Sequence, residues 1–163
     1  PKIAKHISKK NKFISLNAQV NAANIGTHNI RKYNDINCLI INATELRHEM
    51  RQRDGDIVEM ANTLKKMVSA KYITVTQGKK GAMLLKDNEA PVICPGFAVQ
   101  IVDKIGSGDA LLALLSVCIY SNFDDDLSLF ISSIAAAQSV ETIGNSKPVS
   151  KSKLLKTISH LLK

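Results

Sequence analysis

Residues 103–109 read Asp-Lys-Ile-Gly-Ser-Gly-Asp and run directly into a long apolar segment with helical character. Two glycines around a serine at the mouth of a helix present backbone N–H groups that the helix itself cannot satisfy, and such a start attracts anions, phosphate above all. Asp109 then falls in the first helical turn, beside the anion position. A carboxylate there is electrostatically costly unless it has chemistry to perform. Taking the proton from an alcohol that attacks a phosphate is chemistry that needs a carboxylate at that point.

Two upstream segments carry matching residue types. Asn42-Ala43-Thr44-Glu45 follows an apolar run and opens a helical one. By itself this spacing is that of a helix capping box. Thr76-Gln77-Gly78-Lys79-Lys80-Gly81 ends a β-branched run, and by itself reads as a hairpin turn. Lys79 and Lys80 are expected to be solvated. His6, His28, His48 and His160 are far apart and off these segments, which gives them surface or structural roles.

The elements that position these residues can be read from periodicity. Strands are expected at 13–17, 38–41, 72–76, 81–85 and 91–94, with 99–102 a further apolar run before the glycine segment. Helices are expected at 2–9, 43–52, 56–70, 107–121, 125–142 and 151–162, with Asp56 capping the third of these. Met60 and Met67 belong to the core. The helix after Asp109 is apolar on every side and is expected to be buried all round. Strands alternating with helices imply an α/β fold: a mostly parallel sheet flanked by helices in three layers, with an antiparallel hairpin at 81–94. Ligands of such sheets bind beyond the carboxyl ends of the strands. Asn17, Asn42, Thr76 and Asp103 are the polar residues that end apolar runs there.

Composition bounds the rest. The 163 residues suit one domain, and 45% hydrophobic with 22% charged residues is ordinary for a globular protein. The net charge is +8, yet the basic residues are spread along the chain and aromatic residues make up only 4%. Base-stacking platforms therefore have little to be built from, which argues against nucleic acid as the partner. Cys38, Cys94 and Cys118 are odd in number and lie in apolar runs, so buried free thiols and a reducing cytoplasm are expected. The apolar run at 110–120 is too short for a bilayer, which needs ~20 residues.

Taken in order, the segments at 42–45, 76–81 and 103–109 resemble the carboxyl-terminal half of the ribokinase-like, or phosphofructokinase-B, carbohydrate kinases. That family carries Asn-x-x-Glu, Thr-x-Gly-x-x-Gly and Asp-Thr-x-Gly-Ala-Gly-Asp at similar spacing. Ala135-Ala136-Ala137 followed by Gly144 resembles its nucleotide-side helix and loop. Residues 17–24 resemble the branch related to the kinase domain of bifunctional heptose kinase/nucleotidyltransferases. The resemblance implies a ribokinase-like partial domain over 1–163 that uses ATP and Mg2+. The reaction it implies is phosphorylation of a sugar or sugar-phosphate hydroxyl, with a heptose phosphate for surface polysaccharide as the best substrate expectation.

The resemblance also implies roles. Asp109 is the general base, and the N–H groups of Gly106, Ser107 and Gly108 form the anion hole. Asn42 and Glu45 serve magnesium through water and contribute to the nucleotide site, where Thr76, Gly78 and Gly81 meet the nucleotide. Asp103 serves a monovalent cation. Lys104 stands where the family has Thr, which puts cation dependence in doubt, and Ser107 replaces an Ala but keeps its N–H. The chain has roughly half of the family's usual length. It is therefore expected to be a fragment that lacks the amino-terminal sugar-binding half and lid, to pair with that half or a second subunit, and to show little turnover alone. The alternative is a non-catalytic fragment that binds nucleotide or a partner.

Overall fold

A computed structural model describes residues 12–17, 30–98, 100–103 and 105–163. Its five strands are β1 (Ser15–Asn17), β2 (Cys38–Asn42), β3 (Tyr72–Thr76), β4 (Ala82–Lys86) and β5 (Val92–Cys94). Its helices are α1 (Ala43–Met50), α2 (Ile57–Met67), α3 (Ser107–Tyr120), α4 (Asp125–Ser139) and α5 (Lys151–Leu161). The sheet order is β1-β2-β3-β4-β5, with β1, β2 and β3 parallel. The links on either side of β4 are far shorter than a parallel crossover requires. The fold is α/β, as expected. Contacts group the chain into two compact units, residues 1–76 with 84–91, and residues 77–83 with 92–163.

In the first unit, β2 and β3 are continuous apolar runs because both faces are covered. Leu39, Ile40, Ile41, Ile73 and Val75 are fully buried, and Leu46 of α1 with Met60, Ala61 and Leu64 of α2 pack with them. Asp56 caps α2 as expected, its Oδ1 accepting the Glu59 N–H at 2.9 Å. Met60 is core, but Met67 is 45% exposed, since it falls on the outer face of α2.

In the second unit, α3 and α4 pack together through Leu111, Leu115, Leu129, Ile134 and Ala135, and α5 lies on α4. Burial corrects the reading of α3. Leu111, Leu115, Cys118 and Ile119 form one buried face, whereas Ala113, Val117 and Tyr120 are exposed. An all-apolar composition shows that a helix can be buried, not that every face has something against it.

The apolar run before the glycine segment does not extend the sheet over its described residues. Residues 100–102 form no strand; Ile101 and Val102 are exposed, and the N–H groups of Val102 and Asp103 both donate to the Val140 carbonyl instead of to a ladder. The strand expected over 13–17 is confined to Ser15–Asn17, and the helix expected over 125–142 ends at Ser139. The helix expected at 2–9 and residues 18–24 of the branch resemblance lie outside the described residues. Cys38, Cys94 and Cys118 are buried free thiols. Among the described residues no helix is long and apolar enough to cross a membrane.

Candidate active site

In the first unit, β2 ends and α1 begins at Asn42. Its backbone is extended (φ −85°, ψ 159°), and its Oδ1 accepts the Glu45 N–H at 2.8 Å. The Glu45 Oε2 accepts the Asn42 N–H in return at 3.0 Å. This is a complete capping box, with Glu45 only 8% exposed. Thr76 stands opposite Asn42 in the β2–β3 register, so the two polar strand ends share one row. Asn17 pairs with Ile40 and sits two residues short of that row.

Among the described residues, no three His, Cys, Asp or Glu side chains gather where they could hold a metal ion between them. Asn42 and Glu45 offer one amide and one carboxylate, a donor set that fits magnesium retaining its waters and bound to phosphates.

In the second unit, Gly106 is the N-cap of α3 with φ +85°, a left-handed conformation that a side chain would strain. The first helical bond runs from the Ala110 N–H to the Gly106 carbonyl at 2.9 Å. The N–H groups opening the helix are therefore those of Gly106, Ser107, Gly108 and Asp109, for which a first turn supplies no carbonyl from within. Asp109 is the third helical residue and is exposed, at the positive end of the helix dipole. The arrangement places a carboxylate in the first turn of a helix that opens on a left-handed glycine.

Asp103 precedes this turn. Its Oδ1 accepts the Ile105 N–H at 3.0 Å, and its Oδ2 accepts the Gly144 N–H at 2.9 Å. A cation at Asp103 would share a carboxylate that already serves two amides. The bond to Gly144 spans 41 residues, and no local pattern in the sequence signals it.

The turn after β3 divides its two glycines. Gly78 has φ +59° and is exposed, with open space where a Cβ would stand. A Cβ on Gly81 would come within 2.0 Å of the Cys94 carbonyl oxygen, and its φ is +91°, so packing and backbone conformation both require a glycine there. The Gly81 N–H donates to the Gly78 carbonyl at 3.0 Å, and the Gln77 N–H to the Gly81 carbonyl at 2.7 Å. Lys79, Lys80, His48 and His160 are exposed.

Residues 2–152 match the family described as pfkB family carbohydrate kinase. The chain is 29% identical over 105 residues to the bifunctional protein HldE of Koribacter versatilis, covering 64% of this chain and 21% of that one. It is 26% identical over 148 residues to HldE of Campylobacter jejuni, covering 89% of this chain and 31% of that one. Among solved structures it resembles Arabidopsis thaliana ribokinase complexed with ribose and ATP (TM-score 0.76, 23% identity, 95% of this chain and 50% of that one). It also resembles Escherichia coli phosphofructokinase-2 in complex with potassium (TM-score 0.80, 14% identity, 99% and 52%). These structures show a ribokinase-like fold. The chain spans about half the length of the solved relatives and less of the bifunctional ones.

Proposed function

Because the chain belongs to the pfkB family of carbohydrate kinases, we propose that it is the nucleotide-binding, catalytic-base half of a kinase that transfers the γ-phosphoryl group of ATP to a sugar or sugar-phosphate hydroxyl. The observation that carries this is Asp109, placed directly behind the left-handed Gly106 in the first turn of α3. The Asp109 carboxylate takes the hydroxyl proton as the sugar oxygen forms its bond to phosphorus. The bond from the γ-phosphorus to the bridging oxygen breaks, and ADP leaves with that electron pair. The N–H groups of Gly106, Ser107 and Gly108 face the charge on the transferring group.

Asn42 and Glu45 would hold magnesium through its waters, and the ion would offset phosphate charge. Thr76 and Gly78 would contact the nucleotide, Gly81 would shape their turn, and Asp103 would serve a monovalent cation. The acceptor proposed is a heptose phosphate destined for surface polysaccharide. It draws on the HldE relatives and on the resemblance of residues 17–24. The partners proposed are that sugar and an amino-terminal half or second subunit, and the compartment is the cytoplasm.

Calorimetric titration of the chain with ATP, with and without magnesium, tests the nucleotide side. Saturable, magnesium-strengthened binding is expected, and no binding at millimolar ATP overturns the reading. A second reading, a fragment that binds nucleotide or a partner without turnover, draws on the chain spanning about half of its solved relatives. Release of ADP dependent on a sugar phosphate decides against it.

A further inference from the structure

We propose that Asp103 is a positioning residue that ties the glycine turn opening α3 to the loop after α4, so that the order of one sets the order of the other. It rests on the reading of Gly106–Gly108 as an anion site, and deepens it by naming what holds that turn in place. Apolar packing does little here. Ile101, Val102 and Ile105 are all exposed, Ile105 by 67%, and residues 100–103 belong to no strand or helix.

Hydrogen bonds do the anchoring. The Val102 and Asp103 N–H groups donate to the Val140 carbonyl at 2.8 and 3.1 Å, and Val140 is the buried C-cap of α4. The Asp103 carboxylate then spans outward in both directions, to the Ile105 N–H at 3.0 Å and to the Gly144 N–H at 2.9 Å. Ile105 is the residue before the Gly106 N-cap, so this carboxylate fixes the point where α3 starts. Two N–H donors on two oxygens require a carboxylate. An asparagine has one acceptor oxygen, and its NH2 group would face the second donor.

The test is a double-mutant cycle read by amide hydrogen exchange on the chain itself, with no dependence on turnover. Gly144 has φ +58° and nothing within 4 Å of a Cβ, so Gly144→Ala disturbs the loop through its backbone conformation and not through a clash. In the otherwise native chain, Gly144→Ala is expected to speed exchange by about threefold or more at the Ile105 amide, which donates to Asp103, and at the Ala110 amide, which donates to the Gly106 carbonyl. In an Asp103→Ala background those amides already exchange fast, and Gly144→Ala adds nothing. Asp103→Asn, which keeps one acceptor, gives an intermediate rate. An equal effect of Gly144→Ala in both backgrounds overturns the proposal, as does no effect at the Ile105 and Ala110 amides in either. If Asp103→Ala does not fold, the Asp103→Asn background gives the same cycle at lower amplitude. Failure of the kinase reading shows separately, as an absence of nucleotide binding, and leaves the exchange cycle as it is.

Discussion

Asn42 and Glu45 each satisfy the other's backbone, the Asn42 Oδ1 taking the Glu45 N–H at 2.8 Å and the Glu45 Oε2 taking the Asn42 N–H at 3.0 Å. The pair proposed to serve magnesium is thus also the pair that starts α1. These two jobs separate chemically, because a capping box accepts Gln as well as Glu at its third position, whereas a magnesium shell favours the charge. Glu45→Gln is therefore expected to leave the melting temperature nearly unchanged and to raise the magnesium concentration needed for ATP binding several-fold. An unchanged magnesium titration reduces Glu45 to a cap. Asn42→Ala loses both jobs and is expected to cost about 1 kcal/mol of stability as well.

Asp109 is exposed at the third position of α3, and an asparagine of nearly the same shape fits there. Asp109→Asn is expected to lower kcat by roughly 10²–10⁴-fold in any assembly of this chain that turns substrate over. Affinity of the chain for ATP should change little, as measured by calorimetry. Near-native kcat in this variant would remove the general-base assignment.

The two faces of α3 make a third expectation. Leu115 is fully buried and Val117 is 59% exposed on the same helix. Leu115→Ala is expected to cost about 2–5 kcal/mol. Val117→Lys should stay within about 0.5 kcal/mol. Chemical denaturation of the two variants measures both. A large loss in Val117→Lys would mean that this face is covered in solution.

That contrast also shows what local sequence can hold. β2 and β3 were legible because short apolar or β-branched runs that stop at the polar residues Asn42 and Thr76 leave little alternative. The capping residues Asn42 and Asp56 were legible because capping is a three-residue event. Residues 99–102 were not, since an apolar run signals burial in a ladder only if its N–H groups find one, and those of Val102 and Asp103 meet Val140 instead. The exposed face of α3 and the Asp103–Gly144 bond depend on partners distant in sequence, which periodicity does not register. The glycine turn itself was legible because left-handed Gly106 and the helix start are both local.

The thiols offer a chemical check on the core. Burial pushes the Cys38 thiol up to about 12. It raises Cys94 and Cys118 as well. The thiolate is the reacting form, and raised values leave little of it at pH 8. Reaction of the native chain with a disulfide reagent at pH 8 is expected to be slow and paced by opening of the fold, with all three thiols reacting at once in denaturant. Fast reaction of Cys38 in the native chain would contradict its place in β2.

Lys65 supplies the last test, because it is a cation only 2% exposed whose Nζ lies 2.5 Å from the Oδ1 of Asp87, a residue 67% exposed. The hydrogen bond from Lys65 and then its charge hold the Asp87 carboxyl below the usual carboxylate range, with a smaller contribution from Lys66. A carboxyl depressed in the folded state stabilises the fold above its unfolded value, about 3.9, and that stabilisation is lost as pH falls through the folded value. Asp87→Asn should thus lower the melting temperature by a steady margin at neutral pH, and the margin should close below about pH 4. Lys65→Met keeps an apolar stem in the buried position and leaves Asp87 to solvent, so it should be milder than Asp87→Asn, which strands a buried ammonium. Melting curves from pH 7 to pH 2 measure all three chains. A margin that persists to pH 2 would show that the Asp87 contribution is not ionic.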